Sequence, residues 1–83
     1  MIDREIKIFL LKALLAANGS PMPDDSLRSA VRAAFPHVAL TTADISEQIK
    51  RAEAENFIAG TNDEVFGVMW TLTPKGKIRA QLL

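Results

Sequence analysis

The chain contains four prolines, and each falls where one run of apolar periodicity gives way to another. A proline lacks the amide hydrogen and its ring clashes with the preceding turn, so no helix crosses Ser20-Pro21-Met22-Pro23 or continues past Pro36. Pro74, directly after Thr73, suits the first position of a helix, where the missing amide costs nothing. These breaks impose an order of short segments on 83 residues, a length that supports one core and one domain spanning 1–83.

The segments read as helix, helix, helix, strand, strand, helix. Asp3–Asn18 has acids in its first turn, where the helix dipole favours them, and Asn18-Gly19 as a stop. Asp24–Phe35 follows, with Asp24 or Asp25 as the expected cap. His37–Leu40 is a connector, either a single-turn loop or a very short strand. Thr41 with Asp44 forms a capping-box pattern that opens a third helix running to about Asn56. Phe57–Thr61 and Val65–Thr73 read as a hairpin around a polar tip at Asn62-Asp63-Glu64, with Trp70 and Leu72 on the heavier face. Thr73-Pro74 opens the last helix. The expected core is Ile6, Leu10, Leu14, Leu27, Val31, Ile45, Ile49, Ile58, Trp70 and Leu72.

At 100° per residue the first helix is apolar on two sides. Ile6, Leu10 and Leu14 mark the broad face, and Ile8, Leu11 and Leu15 mark a stripe that points almost the opposite way. Two covers are available for that stripe. One is the C-terminal helix through Ile78, Leu82 and Leu83. The other is a second subunit, which makes Ile8, Leu11, Leu15, Ile78 and Leu82 the candidate interface of a homodimer. Leaving the stripe in water would forgo roughly 1.5–3 kcal/mol for each large aliphatic side chain.

Composition narrows the function. Ten basic residues balance ten acidic ones, so net charge exerts no general attraction to nucleic acid or to an anionic membrane. Cysteine is absent, which excludes thiolate zinc sites and cysteine nucleophiles, and with one histidine neither a protein metal cage nor a Ser-His-Asp triad is expected. No metal, no cofactor and no enzymatic activity are expected. The apolar stretch around Ile8–Ala17 is broken by Lys12 and too short to span a membrane, and nothing resembles a cleaved secretory signal. A cytoplasmic location is expected.

Helices two and three, joined by a short connection and followed at once by a hairpin, resemble a winged-helix domain. Ala52-Glu53-Ala54-Glu55-Asn56-Phe57-Ile58 is similar to the leucine-glutamate-x-x-glycine-leucine-isoleucine passage of winged-helix regulators. Asn56 replaces the usual glycine and shares its tolerance of the left-handed region. Trp70-Thr71-Leu72-Thr73-Pro74-Lys75-Gly76-Lys77 is similar to the tyrosine-x-leucine-threonine-proline-x-glycine exit of MarR-like and PadR-like regulators. The resemblance implies a mostly α protein with a small hairpin that binds double-stranded DNA as a dimer, with helix three in the major groove and the wing on backbone or minor groove. The candidate nucleic-acid residues are Arg28, Arg32, Ser46, Lys50, Arg51 and Asn62.

Charge opposes part of that implication. Residues 41–64 carry Asp44, Glu47, Glu53, Glu55, Asp63 and Glu64 against Lys50 and Arg51 alone, whereas phosphate contacts depend on Lys and Arg. The alternative is a winged helix that contacts another protein through its acidic face or its apolar stripe. Other residues read more simply as structural: His37 as a lone connector histidine, Trp70 as core, and Lys75, Lys77 and Arg79 as a solvated helix end.

Overall fold

The computed structural model describes residues 2–83. In chain order the elements are α1 (Ile2–Ala16), β1 (Met22–Pro23), α2 (Asp24–Ala34), α3 (Thr42–Ala54), β2 (Ile58–Asp63), β3 (Gly67–Leu72) and α4 (Pro74–Gln81). The three strands form one antiparallel sheet in the order β1-β3-β2.

Local signals ended the helices where expected. Asn18 and Gly19 both adopt left-handed backbone after α1, and Asn56 does so after α3. The Thr41 hydroxyl accepts from the Asp44 amide at 3.1 Å, and Asp44 accepts from the Thr41 amide at 2.9 Å, so the capping box is complete. Thr41 holds the Asp44 carboxyl below its ordinary pKa of 3.8, first through its backbone amide and second through its side chain. Thr73 caps α4 through the Gly76 amide at 3.0 Å, with Pro74 in the first turn.

Asp24 does not cap α2. Pro23 occupies the cap position, and no side chain bonds the free amides. Both Asp24 oxygens are committed elsewhere: Oδ1 accepts from the Trp70 indole at 2.9 Å and Oδ2 from the Arg28 Nε at 2.8 Å. Arg28 in turn donates from Nη1 to the Ser46 hydroxyl at 2.7 Å. One carboxylate thus joins the start of α2 to the wing and, through Arg28, to α3.

The Met22–Pro23 segment is a strand rather than only a turn. It pairs Met22 with Trp70 and Pro23 with Met69 at the sheet edge, where proline's lack of a donor is tolerated. His37–Leu40 is turn and irregular chain, not a strand. The hairpin tip sits beyond the expected position, at residues 64–66, with Asn62 and Asp63 inside β2.

Nine of the ten expected core residues are buried; Leu72 is only half-buried and packs against the core margin. Trp70, the central residue of β3, lies opposite Gly60, and its ring leaves no space there for a side chain: a Cβ would stand 2.9 Å from the ring. Gly76 is more constrained, because a Cβ would meet the Phe57 carbonyl. Glycine in the Thr-Pro-Lys-Gly exit is what lets α4 close on the base of the wing.

Leu11 corrects the reading of α1. It is fully buried, because α4 packs along α1 and the broad apolar face of α1 widens to include it. Ile8 and Leu15, further round the helix, are half-buried. Leu11 is covered within the chain and offers no surface to a second subunit, whereas Ile8 and Leu15 stay half-exposed.

Replacing Asp24 with alanine strands the partly buried Trp70 N–H and Arg28 guanidinium together. Urea denaturation of Asp24→Ala is expected to show a loss of about 1–3 kcal/mol, and Asp24→Asn, which retains an acceptor for Trp70, a smaller one. Equal stability of Asp24→Ala and the parent would show that the junction contributes nothing.

Candidate nucleic-acid interface

α3 is held to the body along one edge by Ile45, Gln48, Ile49 and Ala52. This burial follows from a narrow apolar stripe at three- and four-residue spacing, and it leaves the opposite side of the helix outside. Ala43, Ser46, Glu47, Lys50, Arg51 and Ala54 line a shallow open strip there. Lys50 is exposed and makes no side-chain hydrogen bond or ion pair among the described residues. Arg51 pairs with Glu47 one turn earlier at 2.7 Å.

The acids of this region are distributed by role. Asp44 serves the capping box. Glu55 turns toward α1 and pairs with Lys7 at 3.0 Å. Asp63 binds the wing tip. Of the six acids between residues 41 and 64, only Glu47 lies on the strip, against Lys50 and Arg51. The strip itself therefore carries one acid against two bases, while Glu53 on α3 and Glu64 at the wing tip remain exposed.

Arg28 and Arg32 are anchored rather than free. Arg28 links Asp24 and Ser46, as above. Arg32 donates from Nη1 to the Leu40 carbonyl at 2.9 Å and from Nη2 to the Thr42 hydroxyl at 3.0 Å, fastening α2 to the connector that leads into α3. Arg28 and Ser46 are thus brought together, with Ser46 also on the strip beside Lys50 and Arg51. Asn62 stands apart, exposed on β2 opposite Val68. Sequence spacing showed that Arg28 and Arg32 share one side of α2, but gave no indication that both reach across to the next helix and its connector.

The wing carries no basic side chain from Ala52 to Pro74. Its tip is apolar: Val65 is 82% and Phe66 62% exposed. The Asp63 carboxylate accepts from the Val65 amide at 2.8 Å and the Phe66 amide at 2.9 Å, and Gly67 completes the turn with positive φ. The Phe66 amide, then that of Val65, lowers the Asp63 pKa from its ordinary 3.8. The signal for this turn was present in Asp63 and Gly67; the exposure of Val65 and Phe66 was missed because they were assigned to the strand.

Beyond the wing, Lys75 donates to the Glu55 carbonyl at 3.0 Å, and both Lys7 and Lys75 lie over the Phe57 ring, at 5.0 and 5.1 Å from its centroid. Lys75 is therefore occupied at the end of α3. Among the described residues no three His, Asp or Glu side chains come together as metal ligands, and no helix is long and apolar enough to cross a membrane.

No family model and no curated protein matches the chain. Among solved structures, the chain is similar to the crystal structure of SSV1 F-93, with a TM-score of 0.70 and 26% identity, covering 92% of this chain and 79% of that one. Element order, sheet topology and this likeness make the fold a winged helix, mostly α with a small antiparallel sheet.

The depressed pKa of Asp63 fixes a pH response. Its ionised form is favoured in the folded wing, so its hold on the tip is complete above its ordinary pKa of 3.8 and is lost as pH falls through the lower folded value. In an NMR titration the Val65 and Phe66 amide shifts should move together with a midpoint below 3.8, and should stay flat in Asp63→Asn. A midpoint at or above that value would contradict the geometry.

Proposed function

We propose that this chain is a small DNA-binding protein, a transcriptional regulator of bacterial or phage type that works in the cytoplasm and reads double-stranded DNA with α3. The observation that carries this reading is the exposed strip of α3, where Ser46, Lys50 and Arg51 face outward while most nearby acids are engaged elsewhere. Arg28 and Arg32 flank it in fixed orientations. A guanidinium has five donors, so each retains N–H groups for a phosphate after its internal bonds are made. The Leu72-Thr73-Pro74-Lys75-Gly76 exit supports a MarR-like or PadR-like relationship.

Ile78 of α4 and Leu82, just past its end, lie one turn apart and are 61% and 74% exposed. They join the half-buried Ile8 and Leu15 as the apolar contacts for a homodimer, and a two-fold axis there would present two copies of α3 to paired half-sites. Sedimentation of the parent at tens of micromolar, a concentration where roughly micromolar dimers persist, should show a dimer that Leu82→Glu dissociates. A monomeric parent would reject this interface.

One observation favours a second reading, a module that binds protein rather than DNA: the wing has acids and an apolar tip but no base. A salt titration of binding to labelled duplex DNA separates the two. Phosphate contacts should make affinity fall steeply with salt, Lys50→Ala and Arg51→Ala should each reduce the slope by about one, and Glu47→Gln, which releases Arg51, should tighten binding. Absence of salt-dependent binding would reject the DNA reading.

A further inference from the structure

A cleft of about 350 Å³ opens where α1, α3 and the end of the chain meet. Arg4 and Ile8 of α1, Gln48 and Arg51 of α3, and Arg79 and Leu83 at the chain's end form most of its wall. This size falls at the small end of ligand sites, which span roughly 300–1,000 Å³.

Gln48 is the distinctive residue. It is 5% exposed and is the one buried polar side chain among the described residues. Its amide bonds to no described residue. Yet no side-chain nitrogen or oxygen sealed from solvent lacks a partner, so the amide opens to the cleft that Gln48 lines. Its neighbours on the buried edge of α3 are Ile45, Ile49 and Ala52. The core has no use for an amide at this position.

The charges around it are unequal. Lys7 and Glu55 neutralise one another. Arg4 and Arg79 have no ion-pair partner among the described residues, and Arg51 pairs with Glu47, which lies on the outer strip of α3 rather than in the cleft. Against these guanidiniums the cleft sets one unpaired acidic side chain, Asp3. Guanidinium groups match the paired oxygens of carboxylates and phosphates.

We propose that this cleft binds a small organic oxyanion, a carboxylate or phosphate ester with a hydroxyl or amide beside its charged end. Arg4 and Arg79 take the oxyanion, Gln48 takes the adjacent polar group, and Ile8 and Leu83 border its carbon chain. Asp3 limits the charge the site accepts and disfavours polyphosphates. Arg51 lines both this cleft and the outer strip of α3, so a bound oxyanion competes for the same guanidinium that would meet DNA. That coupling rests on the DNA-binding reading; occupancy of the cleft does not.

The test uses the DNA-free protein and its amide NMR spectrum, titrated with glycerol 3-phosphate and separately with lactate, with sodium chloride as the ionic-strength control. Saturable shifts at the Gln48 side-chain amide are expected near or below roughly 1 mM with at least one probe. Saturation by only one probe distinguishes phosphate ester from carboxylate. Arg79→Ala, at an exposed position, and Gln48→Glu, which keeps the shape and adds a repelling charge, should each weaken binding about tenfold. If Gln48→Glu fails to fold, Arg4→Ala takes its place. Linear, unsaturated shifts with both probes up to about 50 mM, or equal titrations in parent and variants, would overturn the proposal. With DNA present, a saturating probe should lower duplex affinity about fivefold. A saturable cleft in a protein that ignores DNA upholds the site and rejects the DNA reading instead.

Discussion

Asp24 binds the Trp70 indole with one oxygen and the Arg28 guanidinium with the other, and Arg28 continues the connection to Ser46. The three elements that define the exposed side of the molecule are thereby locked at one point. Without this junction, α2 would meet β3 through apolar contacts, which constrain separation more than rotation, and would keep only the Arg32–Thr42 bond to α3. With it, the side of α3 that faces outward is fixed by hydrogen bonds of defined direction, and Arg32 repeats the restraint at Leu40 and Thr42. Arg28 and Arg32, two of the three arginines expected to meet DNA, thus also determine how α3 is presented.

A second joint closes the other end. Phe57 receives Lys7 and Lys75 on its ring, gives its carbonyl to the Thr73 amide at 3.0 Å, and lies against the bare Cα of Gly76. The Thr73 hydroxyl also donates to the Asn56 carbonyl. The left-handed residue after α3 and the cap of α4 are therefore one structure. Their motifs, separate in the sequence, depend on each other in space.

What could be read in advance was set by short range. Thr41 with Asp44, Asn18, Asn56 and Thr73-Pro74 each act within a few residues, and their chemistry does not depend on the remainder of the chain. Asp24 shows where this fails: at a helix start a cap is the sound local inference, but Trp70, distant in sequence, competes for the same oxygens. Strand β1 exists only because β3 lies beside it. Leu11 is buried because α4 lies along α1, which helical periodicity cannot reveal. At the candidate interface, counting charges along residues 41–64 does not show that Asp44, Glu55 and Asp63 each have a partner away from the strip.

The wing tip separates shape from identity. Its turn is held from below by the Asp63 carboxylate and Gly67, while Glu64, Val65 and Phe66 project outward and contribute nothing to the core. Residues freed from the work of folding can be exchanged without lowering the stability of the whole. Positions 64–66 therefore sit on a frame that does not depend on them, where substitutions can change what the wing touches without changing how the chain folds, and where a laboratory library can be displayed.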